Sequence, residues 1–133
     1  MSRPDNVATG TTGAAATPAV PGAITVQANQ AWTSTGRTVR RGQTLSFTST
    51  GEIQLSNDAN DLADANGSKN ARYAATAPMR QVLAGALIGR IGNGAPFAVG
   101  NQTITAPASG VLYLGVNDDN HADNKGNYQV VIR

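Results

Sequence analysis

Residues 115–128 read Gly-Val-Asn-Asp-Asp-Asn-His-Ala-Asp-Asn-Lys-Gly-Asn-Tyr, a dense set of side-chain oxygens between two apolar runs. Asn117, Asp118, Asp119, Asn120, Asp123 and Asn124 are hard oxygen ligands with no thiol among them, a set that suits calcium better than zinc or copper. The same residue types also build polar turns, because Asn, Asp and Gly tolerate backbone angles that other residues avoid. Residue types alone leave both readings open. The flanking runs, 111–116 and 128–132, are rich in β-branched and aromatic residues and predict a pair of strands joined by this loop.

Other chemistry finds less support. One His and no Cys exclude disulfides, zinc-thiolate centres and cysteine nucleophiles, and leave few nucleophile–base pairs. No Ser-His-Asp order, no H-E-x-x-H and no Walker loop can be assembled. Asp118 and Asp123 are a carboxylate pair of the kind glycoside hydrolysis needs, yet nothing else in the chain points to it, and the protein is expected not to be an enzyme. A second Asp/Asn-rich stretch holds Asp58, Asn60, Asp61 and Asp64 but lacks the spacing and the closing Glu of an EF-hand. It reads as a weak second calcium site, a sugar-contacting rim or a solvated loop. Arg72, Tyr73 and Arg80 follow in the same insertion, placed either to reach over a ligand or only to pack and solubilise. Trp32, the sole tryptophan, is a sugar-stacking face or a core residue.

These residues need a scaffold, and length and composition bound it. A chain of 133 residues with 40% hydrophobic residues implies one globular domain able to bury a core without covalent staples. A formal charge of only +2 argues against nucleic acid as a partner. No apolar run approaches the roughly 20 residues of a membrane helix, and the N-terminus lacks a signal-peptide pattern. Residues 1–22, rich in Ala, Thr, Gly and Pro, are expected to be a flexible tail or linker, with contact to a neighbouring copy in a homo-oligomer as one use for it. The body, 23–133, shows alternating or apolar short runs at 24–28, 37–40, 44–49, 52–55, 82–91, 95–99, 103–105, 111–116 and 128–132. Gly85, Gly89 and Gly92 argue against a helix over 82–91 and for a buried strand. Eight or nine short antiparallel strands without a helix predict an all-β fold, a jelly-roll-type β-sandwich.

Four stretches in order, 85–92 (Gly-Ala-Leu-Ile-Gly-Arg-Ile-Gly), 106–110 (Ala-Pro-Ala-Ser-Gly), 112–118 (Leu-Tyr-Leu-Gly-Val-Asn-Asp) and 123–126 (Asp-Asn-Lys-Gly), carry a family likeness. Together they make the chain from about 23 to 133 resemble the PA-IL-like family of bacterial calcium-dependent galactophilic lectins. The resemblance implies a galactose-binding-domain-like sandwich that binds calcium and glycans outside the cell or at its surface. By this resemblance Asp118 ligates calcium and touches a sugar hydroxyl, and Asp123 and Asn124 take the place of two adjacent amide ligands. One backbone carbonyl ligand falls at Leu55 and a second at about Asn120. The His-Pro-x-Gln segment with which those lectins hold galactose has no counterpart between residues 56 and 81, so galactose itself is not implied. His121 lies in the metal loop instead, as a sugar contact or an exposed loop residue, while Asp123 joins Asp118 on the sugar side. A competing expectation treats the domain as a non-catalytic assembly or adhesion unit, self-associating through exposed strand edges with calcium purely structural.

Overall fold

The computed structural model describes residues 22–133, and the expected tail, apart from Gly22, lies outside them. In chain order the strands are β1 (Ile24–Gln27), β2 (Thr33–Val39), β3 (Thr44–Thr50), β4 (Ile53–Gln54), β5 (Leu62–Asp64), β6 (Gly67–Ser68), β7 (Leu87–Ile91), β8 (Phe97–Ala98), β9 (Thr103–Thr105), β10 (Gly110–Val116) and β11 (Lys125–Ile132). No helix occurs among the described residues.

The strands form two antiparallel sheets. One has seven strands, ordered β6-β5-β4-β11-β3-β9 with β1 on the other side of β11; the second has four, ordered β2-β10-β7-β8. Alternation explains the layering. In β3 Leu45, Phe47 and Ser49 point inward and their neighbours outward, and in β10 Leu112, Leu114 and Val116 are buried while Val111 is exposed. With Tyr128, Val130 and Ile132 of β11 they fill one core between the sheets. Truncating Leu112 or Leu114, both fully buried, to Ala would cost about 2–5 kcal/mol.

Three details depart from the sequence reading. The strands flanking residues 117–124 do not pair with each other: β10 lies between β2 and β7, and β11 between β1 and β3. Each carries an apolar row on one face, and facing each other across the core buries both rows, which a single-layer hairpin would leave half wet. The loop therefore crosses from one sheet to the other at an end of the sandwich. The strand expected over 82–91 starts only at Leu87, because residues 79–83 are bound to Asn117 and Gly85 sits at φ +83°, where an added Cβ would meet that of Ala63 at 2.5 Å. And the long insertion is not bare loop: β5 and β6 form a small hairpin that extends the larger sheet past β4.

A bulge in β2 interrupts the edge of the smaller sheet. The step from Val111 to Tyr113 in β10 is opposed by the longer step from Thr38 to Ser34 in β2, and the Thr35 hydroxyl donates to the Leu112 carbonyl there at 2.8 Å. On the outer face of this sheet the Arg90 guanidinium lies 4.6 Å from the Trp32 ring and 5.4 Å from that of Tyr113. Trp32 crosses the strand at Gly115, where a Cβ would come within 2.9 Å of the indole. The tryptophan thus caps the outside of the sheet, half-buried, rather than filling the central core.

Candidate functional site

Residues 117–124 leave β10 and enter β11, and the first of them fixes the ground beneath the site. Asn117 is fully buried. Its Oδ1 accepts the Met79 N–H at 2.9 Å, and its Nδ2 donates toward the carbonyls of Met79, Val82 and Leu83 at 2.8, 3.0 and 3.2 Å. Its backbone bonds Ala86 and Gly85. Asn117, counted by its type among the oxygen ligands, is instead wholly spent as the anchor of the 79–86 segment.

Asp118 turns the other way. At 3% exposed it is buried; its Oδ1 accepts the Asp119 N–H at 2.8 Å, and its Oδ2 has no partner. Burial pushes its carboxyl up from the ordinary range, an effect that the neighbouring Asn124 amide and the Asp119 N–H oppose and the Asp119 charge reinforces. Asn124, 5% exposed, donates its Nδ2 to the Ala28 carbonyl at 3.0 Å, which fixes the amide and leaves Oδ1 buried and unpartnered. Asp123 Oδ1 is likewise buried without a partner.

Three acceptor oxygens on two carboxylates and an amide are therefore out of water with no donor. Each such group costs about 1–3 kcal/mol, and more when charged, unless something satisfies it. A cation reached by all three would satisfy them together, whereas an N–H or O–H donor serves one or two. Among the described residues no three His, Cys, Asp or Glu side chains gather at a point, so a metal here would draw on the amide and on backbone carbonyls as well. Such an all-oxygen set fits calcium.

The other residues singled out by the sequence fall around this centre. Gln54 pairs with Lys125 in the β4–β11 ladder, so Leu55, one step further, stands across from Asn124 at the mouth of the loop. Asn120 is exposed, and its Oδ1 accepts the Ala122 N–H at 3.3 Å. His121 is turned back into the loop: its Nε2 meets the Val116 carbonyl at 2.9 Å, and its own carbonyl accepts the Asn124 N–H at 3.1 Å. These two short bonds curl residues 116–124 into a closed turn and bring Asp118 near Asn124.

The second Asp/Asn-rich stretch behaves differently. Asp58 Oδ1 accepts the Asn60 N–H at 2.9 Å, and Asp64 Oδ1 accepts the Asn66 N–H at 2.8 Å, both ordinary Asx turns. Asp61 takes a fork from Arg72, Nε to Oδ1 at 3.1 Å and Nη2 to Oδ2 at 2.9 Å. Burial alone would raise the Asp61 carboxyl; the Arg72 and Ser56 hydrogen bonds and the Arg72 charge outweigh it and hold the group below the ordinary value. Tyr128, a core residue of β11, ties the insertion down by donating its hydroxyl toward the Asp64 and Gly85 carbonyls at 2.6 and 2.8 Å. Sequence reasoning missed the anchoring roles of Asn117 and Tyr128. Their only signal is a polar residue ending one apolar run and a tyrosine beginning the next.

No protein-family model matches the chain, and no curated protein matches it in sequence. Among solved structures eight chains match. One is the EclA N-terminal domain, a PllA-like lectin, which superposes with a TM-score of 0.65 at 24% identity, over 85% of this chain and 98% of that one. At this identity the likeness is one of fold: the chain has the β-sandwich of that lectin domain.

Proposed function

We propose that the protein is a calcium-dependent carbohydrate-binding module, with the metal held by Asp118, Asp123 and Asn124 and completed by the backbone carbonyls of Leu55 and Asn120. The observation that carries this reading is the trio of buried oxygens without a donor, Asp118 Oδ2, Asp123 Oδ1 and Asn124 Oδ1, at the point where one sheet hands the chain to the other. The shared sandwich of a lectin domain supports it. Bound calcium would supply coordination positions for vicinal sugar hydroxyls. The chain's own residues do the rest: Asn117 and His121 shape the loop, the Ala28 carbonyl orients Asn124, and Asp118 and Asp123 accept hydroxyl hydrogens from the sugar. With Nε2 committed to Val116, His121 has only its other edge to offer a ligand.

The partner is a glycan or glycoconjugate, and the place of action is outside the cell or at its surface. Calcium there reaches the level at which modest oxygen sites fill, roughly 10⁻⁴–10⁻³ M for extracellular modules. No catalytic step is assigned, since the two carboxylates are taken by the metal. A glycan array probed in millimolar calcium and again with a chelator tests the reading: binding that disappears with the chelator is expected. Absence of binding in both buffers would discard it in favour of a self-associating structural domain, and particle size with and without calcium would then be measured.

A further inference from the structure

A cleft of about 380 Å³ opens where residues 99–102 cross from β8 of the smaller sheet to β9 of the larger, and none of the candidate calcium ligands lines it. One wall is the 65–66 turn between β5 and β6; the other is the crossover itself. Both walls are tied to Leu87. Its N–H donates to the Ala65 carbonyl at 2.9 Å, and its carbonyl accepts the N–H groups of Val99 and Gly100, each at 3.0 Å. The lining combines small apolar groups with side-chain amides. Ala65, Ala86, Leu87 and Val99 supply the buried apolar part, and Asn66, Asn101 and Gln102 the exposed polar part. No charged residue lines the cleft among the described residues. Two of the amides are fixed at one end. Asn101 Oδ1 accepts the Ser49 N–H at 2.6 Å, which leaves Nδ2 as a donor, and Gln102 Nε2 donates to the Ala98 carbonyl at 3.1 Å, which leaves Oε1 as an acceptor. Asn66 reaches toward the crossover: its Oδ1 lies 2.9 Å from where a Cβ on Gly100 would stand, so a glycine at φ +52° leaves it room. Asp64 takes only the Asn66 backbone N–H, and the amide stays available.

We infer that this cleft is a second, metal-independent site that binds a 2-acetamido sugar by its acetamido group. Asn101 Nδ2 donates to the acetamido carbonyl, Gln102 Oε1 accepts its N–H, and the small apolar side chains take its methyl. An acetamido group carries one acceptor, one donor and one methyl on a rigid plane, and the cleft offers a complement to each. Because the two amides are already held by the fold, little ordering remains to be done on binding. A carboxylate or phosphate would find no counter-charge in the lining. The volume exceeds what a bare acetamide fills and leaves Asn66 for a ring hydroxyl, which points to a sugar rather than a free amide. No metal takes part, so the inference goes beyond the calcium-dependent reading and fails or holds apart from it. At millimolar affinity such binding escapes a washed array, and the chelator test above still reads the metal loop alone.

The test titrates the isotope-labelled full chain with N-acetylglucosamine, glucose and N-methylacetamide, chelator present, and follows the backbone amide signals by NMR. N-acetylglucosamine should give saturable shifts at residues 65–66 and 98–102 and none at 117–124. It should bind about 10-fold more tightly than glucose, as the loss of two amide hydrogen bonds implies, and more tightly than N-methylacetamide. Asn66→Ala and Gln102→Ala, both at exposed positions, should each weaken it about 3- to 10-fold, with the thermal unfolding midpoint unchanged. The inference falls if glucose shifts the same residues as strongly, if N-methylacetamide binds as tightly as the sugar, or if both variants bind like wild type. It falls too if no shift saturates at tens of millimolar sugar. In each of those outcomes the calcium-dependent reading is untouched. Shifts that appear only with calcium and only at 117–124 would overturn the second site while supporting the metal loop.

Discussion

Residues 56–66 and 117–124 are nearly the same material, short stretches of Asp, Asn, Ala and Ser or His, yet the fold puts them to opposite uses. In the first, Asp58 and Asp64 accept the N–H groups of their own turns and Asp61 accepts Arg72, so donors are matched to acceptors locally. In the second, the crossover between sheets takes Asp118 and Asn124 out of water, and acceptors outnumber donors. The distinction between a turn and a site lies in that mismatch. It comes from where the stretch sits in the sandwich and not from what it is made of.

The comparison can be broken most severely at Asn117. Replacing it with Ala leaves the backbone groups of Met79, Val82 and Leu83 without their buried partner, and urea denaturation should show a loss of about 3 kcal/mol, with the calcium response lost as well. Calcium itself comes next. At a hundred times its dissociation constant it should stabilise wild type by about 2.7 kcal/mol in the same assay, and Asp118→Ala should abolish that gain while the chain still folds. Retention of the full gain in Asp118→Ala would remove the loop from the metal site.

Acid sharpens the contrast from the other side. The Asp61 carboxyl lies below its unfolded value, so the pair with Arg72 contributes fully above that unfolded value and is lost as pH falls through the lowered folded one. For a pair with Arg72 about a third exposed the contribution is about 1 kcal/mol at most. It should vanish in wild type once pH has fallen through the lowered folded value and be absent at all pH in Asp61→Asn, as chemical denaturation across pH would record. The smallest effect belongs to Asp58→Ala, an exposed turn position, where stability should change by less than about 0.5 kcal/mol and calcium stabilisation should not change.

Most of the strands are legible in the sequence itself. Runs such as 24–28 and 44–49 alternate cleanly, and alternation is a local property that survives folding. Pairing is less legible. β10 and β11 read as a hairpin because they are neighbours in sequence, and only the need to bury two apolar rows against each other puts them in different sheets. The β5–β6 hairpin leaves little trace because Ala63, Gly67 and Ser68 are small or polar, and their strand character comes from continuing the ladder of β4. For the candidate site, the types of Asp118, Asp123 and Asn124 are plain in the sequence. That Asn117 beside them is an anchor is not, since its four side-chain hydrogen bonds reach residues 34 to 38 positions away.

The position of the single tryptophan has a spectroscopic consequence. Trp32 rests on Gly115 with Arg90 against its face, one residue before Val116, whose carbonyl holds His121. Its emission therefore originates within a few residues of the loop, on a strand that cannot shift without moving the indole against the guanidinium. Ordering of residues 117–124 becomes observable as a change in intrinsic fluorescence, in the unlabelled chain and in dilute solution, with no second tryptophan to blur the signal.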